Sequence, residues 1–186
     1  MIWWPPETPL LYHGEITLRQ TEERDILPIF NACQDPLIPQ FTTVPSPYFL
    51  SNAEDFVREI APQSFREKTE MLFAIVKGKG EEEKFCGLIS FHTTSLNNHS
   101  TEIGYWMDKE ERGKGIAKTA VGLITQYGME AMGFRRIEAV VDVENLASKA
   151  LLLSVGYQLE GIVRNRVTRP SGDQIDMALF SRINTQ

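Results

Sequence analysis

The chain has 186 residues, a net charge of −6 at neutral pH, and 42% apolar and 24% charged residues. That is one domain's length, sufficient to bury a core without crosslinks, and the composition is that of a folded globular chain. Dispersed basic residues under an acidic balance give no electrostatic support for nucleic-acid binding, and no run is apolar and long enough to cross a bilayer. The two cysteines, Cys33 and Cys86, match no metal spacing, so neither a metal nor a disulfide framework is expected, and a reducing cytoplasm is the expected location.

Residues 1–13 lack the basic and apolar regions of a secretory signal. Pro5 and Pro6 make them an extended arm, with Trp3 and Trp4 expected to pack on the domain surface. Residues 14–19 alternate polar and apolar as a first strand does. Thr21 opens a helix with Glu22, Glu23 and Asp25 in its first turn, favourable charges at that end; Asp35-Pro36 closes it. Four prolines over 36–47 predict a loop. Ser51, with Glu54 three residues on, predicts a capping box for a helix running to about Ala61-Pro62.

Residues 71–76 and 85–91 read as adjacent buried strands joined by the charged hairpin loop 77–84, to which no function is given. Asn97-Asn98 marks the next turn, and 101–107 the next strand. A long helix over 113–132 places Ile116, Ala117, Ala120, Val121, Ile124 and Tyr127 on a broad apolar face, ending at Gly133. Then come a strand at 136–142, a turn at 143–145, a short helix at 147–155, and a strand pair, 157–164 and 175–180, joined through 170–173. The order β-α-α-β-β-β-α-β-α-β-β predicts one α/β domain, a central mixed sheet with helices on both faces.

The chemistry concentrates at 111–119, Glu-Arg-Gly-Lys-Gly-Ile-Ala-Lys-Thr. A strand, a glycine-bearing turn and a helix start present unpaired N–H groups and a positive dipole end, which suits a phosphate. Lys114 and Lys118 add positive charge there. The dinucleotide fingerprint fails because Lys118 stands where a third small residue is needed. The Walker A pattern fails because Ala117 and Arg112 occupy glycine positions. A surface turn opening an amphipathic helix explains the segment equally well by itself.

Arg112-x-x-Gly115-x-Ala117 resembles the acetyl-CoA pyrophosphate loop of the GNAT superfamily of N-acetyltransferases. Asn145-x-x-Ser148-x-x-x-Leu152-x-x-x-Gly156-Tyr157-x-x-Glu160-Gly161-x-x-Arg164 is similar to the C-terminal signature of the Rim-type ribosomal-protein N-terminal acetyltransferases. Residues 102–106, and Leu18-Arg19 followed by Asp25, add to the resemblance over nearly the whole chain.

The resemblance implies that acetyl-CoA, with no metal, lies where the strands ending near Met107 and Val141 part. Backbone around Tyr105, Trp106 and Met107 would hold the pantetheine arm. Amides of Gly113, Lys114, Gly115, Ile116, Ala117 and Lys118, with Arg112, would hold the pyrophosphate. Ser148 is the candidate proton donor to the departing thiolate, Asn145 a contact to CoA, and Glu102 the candidate general base. Plainer roles are an N-cap for Asn145, an ordinary early-helix serine for Ser148 and a solvent-facing position for Glu102. Many superfamily members carry a catalytic tyrosine on this helix; this segment has none, Tyr157 reads as core, and His92 and His99 read as surface residues.

The expected acceptor is a primary amine, either a protein N-terminal α-amine or a small amine. The competing class is a non-catalytic acyl-CoA-binding module of the same fold. A homodimer is compatible with the sequence.

Overall fold

In the computed structural model, which describes residues 2–169 and 172–184, the strands β1 (Leu11–His13), β2 (Ile16–Arg19), β3 (Met71–Lys77), β4 (Lys84–Ser95), β5 (Ser100–Met107), β6 (Arg136–Asp142), β7 (Gln158–Thr168) and β8 (Gln174–Ile183) form one sheet. Their order is β1-β2-β3-β4-β5-β6-β8-β7. Every adjacent pair is antiparallel except β5 and β6, which run parallel. The helices are α1 (Ile26–Ala32), α2 (Leu37–Phe41), α3 (Leu50–Asp55), α4 (Ala61–Glu67), α5 (Ile116–Tyr127) and α6 (Leu146–Ser154).

β3 shows why the sheet is covered on both sides. Successive strand side chains point to opposite faces, and all six residues from Met71 to Val76 are buried. Met71, Phe73 and Ile75 join a core with Ala120, Val121, Ile124 and Leu152 of α5 and α6. Leu72, Ala74 and Val76 join a second core with Ile29, Ala53, Val57 and Ala61. A continuous apolar strand is what two covered faces require.

Within the first core, Tyr157 hydrogen-bonds Thr125 of α5 through their hydroxyls at 2.8 Å, so Tyr157 is core, as its sequence context predicts. Thr125→Val strands the buried phenol and should cost ~1–2 kcal/mol. A melting experiment should show a fall of roughly 3–6 °C; an unchanged Tm would mean the two hydroxyls do not depend on each other.

Several expected boundaries move, each for a local reason. Asp25 does more than stand in the first helical turn, where it accepts the N-cap Glu22 N–H: it is also buried and holds Arg19 through two hydrogen bonds of 2.7 and 2.9 Å. Glu83, from the charged loop that looked inert, also accepts from Arg19 at 2.7 Å, tying the β3–β4 hairpin to β2. The proline-rich stretch contains the helix α2.

The next helix begins at Leu50, with its N-cap, Phe49, two residues before the expected Ser51, and Asn52 Oδ1 accepts the Phe49 N–H at 2.8 Å. It does not end at Pro62 either. A π turn over Phe56–Ile60 leads into α4, and the wider turn accommodates a residue with no N–H to give.

Part of the expected arm is the edge strand β1. Trp4 packs on Phe65, with ring centroids 5.7 Å apart. Trp3 leaves its ring exposed, while its N–H donates to Met132 O. Met1, Thr185, Gln186, and Pro170 and Ser171 of the expected 170–173 connection lie outside the described residues.

The feature that positions the site is the β5–β6 pair. Its register runs Ser100↔Arg136, Thr101↔Ile137, Glu102↔Glu138 and goes no further. Yet β5 stays paired with β4 to Met107, and β6 with β8 to Asp142. The two strands therefore part after Glu102 and Glu138, leaving an opening about 16 Å long on the β5 side at ~3.3 Å per residue.

Candidate active site

The opening belongs to a cleft of about 1080 Å³ whose walls include Thr42, Phe56, Glu102, Tyr105, Ser148 and Arg169. Strand alternation divides it into two sides. Ile103, Tyr105 and Met107 point toward α5 and α6, in the first core or packed on it. Glu102, Gly104 and Trp106 therefore point the other way, and Trp106 packs on Phe85 beside the second core.

On the α5/α6 side, the Tyr105 hydroxyl and Ser148 Oγ are 2.7 Å apart. Burial pushes the Tyr105 phenol up to about 12, with the Ser148 hydrogen bond acting in the opposite direction. Tyr105 thus reaches the site through its side chain as well as its backbone, a feature the sequence did not signal. Ser148 is held by Asn145, whose Oδ1 accepts the Ser148 N–H at 3.1 Å and caps α6. The N-cap role of Asn145 is the one visible here, and both residues line the cleft.

At the open end of β5, the chain makes a short 3-10 turn, Lys109–Glu111, capped by the Asp108 carboxylate on Glu110 N–H at 2.8 Å. It then crosses Gly113 and Gly115 at φ of 74° and 78° and enters α5 with Gly115 as N-cap. The left-handed conformation favours glycine at both places, and a Cβ at either would meet only open space. The first bond into the helix is Thr119 N–H to Gly115 O at 3.2 Å. The amides of Ile116, Ala117 and Lys118 therefore have no partner inside the helix. Ile116 is buried and Ala117 half-buried in the first core, which fixes the helix end against the sheet.

Two charges expected at the phosphate seat are otherwise engaged. The Arg112 guanidinium donates to Met107 O at 2.9 and 3.2 Å and pairs with Asp35 at 2.6 Å, so it braces the end of β5. Lys114 is held at 3.1 Å by Glu111, a buried carboxylate also bound by Lys84. The hydrogen bond from Lys84 leads the effects that keep Glu111 below the usual carboxylate range. Lys118 is exposed. The two lysines and one carboxylate around Glu111 leave one net positive charge near the loop.

On the other side, Glu102 is held above its ordinary range by burial and then by Glu138, while Arg166 and the Val140 N–H pull it down. It does not face open solvent: its side chain is only 17% exposed. His92 stands directly across from it on β4 and lines the same cleft with its side chain 32% exposed, so the surface it lies on is the cleft wall. Glu70, also in the wall, is raised by burial and opposed by a hydrogen bond with Ser90. Among the described residues, no cluster of His, Cys, Asp and Glu has the makings of a metal site.

Comparison with known proteins adds to this geometry. The family model described as Acetyltransferase (GNAT) domain matches residues 15–158. The chain is 30% identical over 176 residues, 95% of its length and 97% of the relative's, to N-acetyltransferase p20 of Bacillus licheniformis, itself described as uncharacterized. Its fold is similar to that of RimL, a ribosomal L7/L12 alpha-N-protein acetyltransferase solved with coenzyme A, at a TM-score of 0.84 and 19% identity, covering 94% of this chain and 98% of the other. It is also similar to the microcin C7 self-immunity acetyltransferase MccE, solved with acetyl-CoA and AMP, at a TM-score of 0.81 and 23% identity, covering 92% and 94%.

Proposed function

The chain belongs to the GNAT acetyltransferase family, and on that premise we propose that it moves an acetyl group from acetyl-CoA to a primary amine by direct attack within the β5–β6 cleft. The observation that supports this most is the parting of β5 from β6 after a three-residue register, with the start of α5 at its end. A separated strand offers free amides to the peptide-like pantetheine arm. One such N–H aimed at the thioester oxygen stabilises the charge that develops on attack. The unpaired amides opening α5 take the pyrophosphate.

The reaction needs a bond formed between the amine nitrogen and the acetyl carbon, a carbon–sulfur bond broken, and a proton for the sulfur. Ser148 supplies that proton, Tyr105, hydrogen-bonded to it, resupplies it, and the Tyr105 phenolate takes a proton back from solvent as the products leave. Asn145 holds Ser148 in place through its N–H. Glu102 provides negative charge on the side from which the acceptor enters.

The acceptor we favour is a protein N-terminal α-amine. The cleft, about 1080 Å³, lies at the upper end of small-molecule sites and has room for the first residues of a peptide beside the thioester. RimL, acting on a ribosomal protein, shares the fold.

The test is release of free thiol from acetyl-CoA with peptides bearing free N-terminal Ser, Ala or Met, and with spermidine and free amino acids as small amines. Peptide-dependent release is expected, with spermidine and amino acids poor. CoA binding with no release for any amine would favour the non-catalytic module instead.

A further inference from the structure

The α2 and α3 side of the cleft carries a histidine that the mechanism above leaves unused. His92 and Glu102 are directly paired across β4 and β5, and their nearest atoms, Nε2 and Oε1, are 3.9 Å apart. That is too long for a hydrogen bond. It is, however, the separation that a single nitrogen about 2.9 Å from each atom would bridge.

The surroundings are shaped to hold the imidazole there. The β4–β5 register shifts between His92 and Ser95, and Thr93 sits at φ of 51°, an uncommon conformation for a β-branched residue. Bulges of this kind re-aim a side chain beside a site. The distortion is pinned by Thr101, whose hydroxyl donates to His92 O at 3.0 Å. Gly104 leaves the space the ring needs: a Cβ there would lie 2.9 Å from His92 Nε2. Thr93 Oγ1 lies 2.9 Å from His92 Nδ1. In the tautomer that donates from Nδ1 to this oxygen, Nε2 keeps its lone pair on the Glu102 side.

We infer that His92 is the general base of the reaction, taking the proton from the acceptor amine while Glu102 holds the amine from the other side. The inference rests on the acetyltransferase function proposed above. The amine binds neutral, between Nε2 and the Glu102 carboxylate. As its nitrogen forms the bond to the acetyl carbon, the carbonyl pair moves to oxygen and one N–H proton passes to Nε2. The carbonyl then reforms, the carbon–sulfur bond breaks, and the sulfur takes its proton from Ser148. The imidazolium returns its proton to solvent.

Burial keeps the His92 imidazole below its ordinary range, so it is neutral and able to accept at neutral pH. Glu138 of β6 and Arg166 of β7 act on Glu102, and Glu70, just before β3, Asp142 at the end of β6 and Arg169, just after β7, line the same cleft. Because only the neutral imidazole can take the proton, activity should rise with pH through its pKa and level off above.

The experiment combines kcat against pH, with acetyl-CoA and the best amine of the panel, and NMR titration of the imidazole in wild type, His92→Gln and Glu102→Gln. The histidines are three, His13, His92 and His99, so the resonance lost in His92→Gln identifies it. A fall of about 100-fold in kcat and loss of the acidic limb are expected for His92→Gln, with its melting temperature retained. In Glu102→Gln the imidazole should titrate lower, because a neighbouring negative charge is gone, and the acidic limb should move with it.

Wild-type kcat with an intact limb in a folded His92→Gln protein overturns the assignment. So does a limb that stays put while the imidazole shifts. Absence of thiol release from the wild type with every amine is a different result: it removes the acetyltransferase function, and this inference falls with it.

Discussion

Gly115→Glu should raise the dissociation constant for CoA about 100-fold while the protein stays folded. Gly115 caps α5 at a φ of 78°, and space in front of its Cβ position is open. A glutamate there brings its carboxylate to the amides of residues 116–118, where the pyrophosphate is proposed to sit. Two unit charges at 4 Å interact by ~4 kcal/mol at an effective dielectric near 20, and by ~1 kcal/mol in water. An exposed loop lies between these limits, and ~2.7 kcal/mol corresponds to the 100-fold expected.

The backbone contributes separately, since a side chain in the left-handed region costs ~1–2 kcal/mol. Gly115→Asn separates the effects, because asparagine tolerates that conformation and carries no charge. Calorimetry with CoA should find the asparagine variant within about tenfold of wild type. Near-wild-type affinity in the glutamate variant would mean the phosphates lie elsewhere.

What could be read from the sequence was whatever is set by local periodicity. β3, with its unbroken apolar run, could be read as doubly covered, and the start of α5 as two glycines before an apolar face. Boundaries set by competing local groups were harder. Ser51 and Glu54 have the capping-box spacing, but Asn52 takes the Phe49 N–H first. Pro62 predicts a helix end, but the π turn before it carries the helix on to Glu67. Partners distant in sequence could not be read at all: Glu83 meets Arg19 across 64 positions, and Lys84 meets Glu111 across 27.

The same limit applies to the site. His92 in a lone strand carries no sign of function; its role as a cleft residue needs the β4–β5 register that sets it against Glu102. Tyr105 was placed by its strand, yet its hydroxyl finds Ser148 43 positions away. That contact answers a difficulty in the sequence, which offers no tyrosine on α6. A tyrosine arrives from β5 instead, on the same side of the sheet as α6.

The consequence is a coupled pair, and Ser148→Ala should lower single-turnover acetyl transfer about 100-fold with little change in acetyl-CoA affinity. A serine hydroxyl alone is a poor acid for a thiolate, because the alkoxide it would leave is far more basic. With the Tyr105 hydroxyl 2.7 Å away, the proposed mechanism has the proton Ser148 gives up replaced in the same motion, so that the charge would rest on a phenol at about 12.

Tyr105→Phe keeps the ring packed on the first core and removes only this supply, so a fall of about tenfold is expected. Because both act on one proton, Tyr105→Phe,Ser148→Ala should be no slower than Ser148→Ala alone. A double-mutant cycle reads the coupling directly. The defects should also shrink when acetyl-CoA is replaced by the acetyl thioester of p-nitrothiophenol, whose thiolate departs without a proton. Additive losses, or defects of equal size with both thioesters, would place the proton donor elsewhere in the cleft and leave the 2.7 Å contact as a strut between β5 and α6.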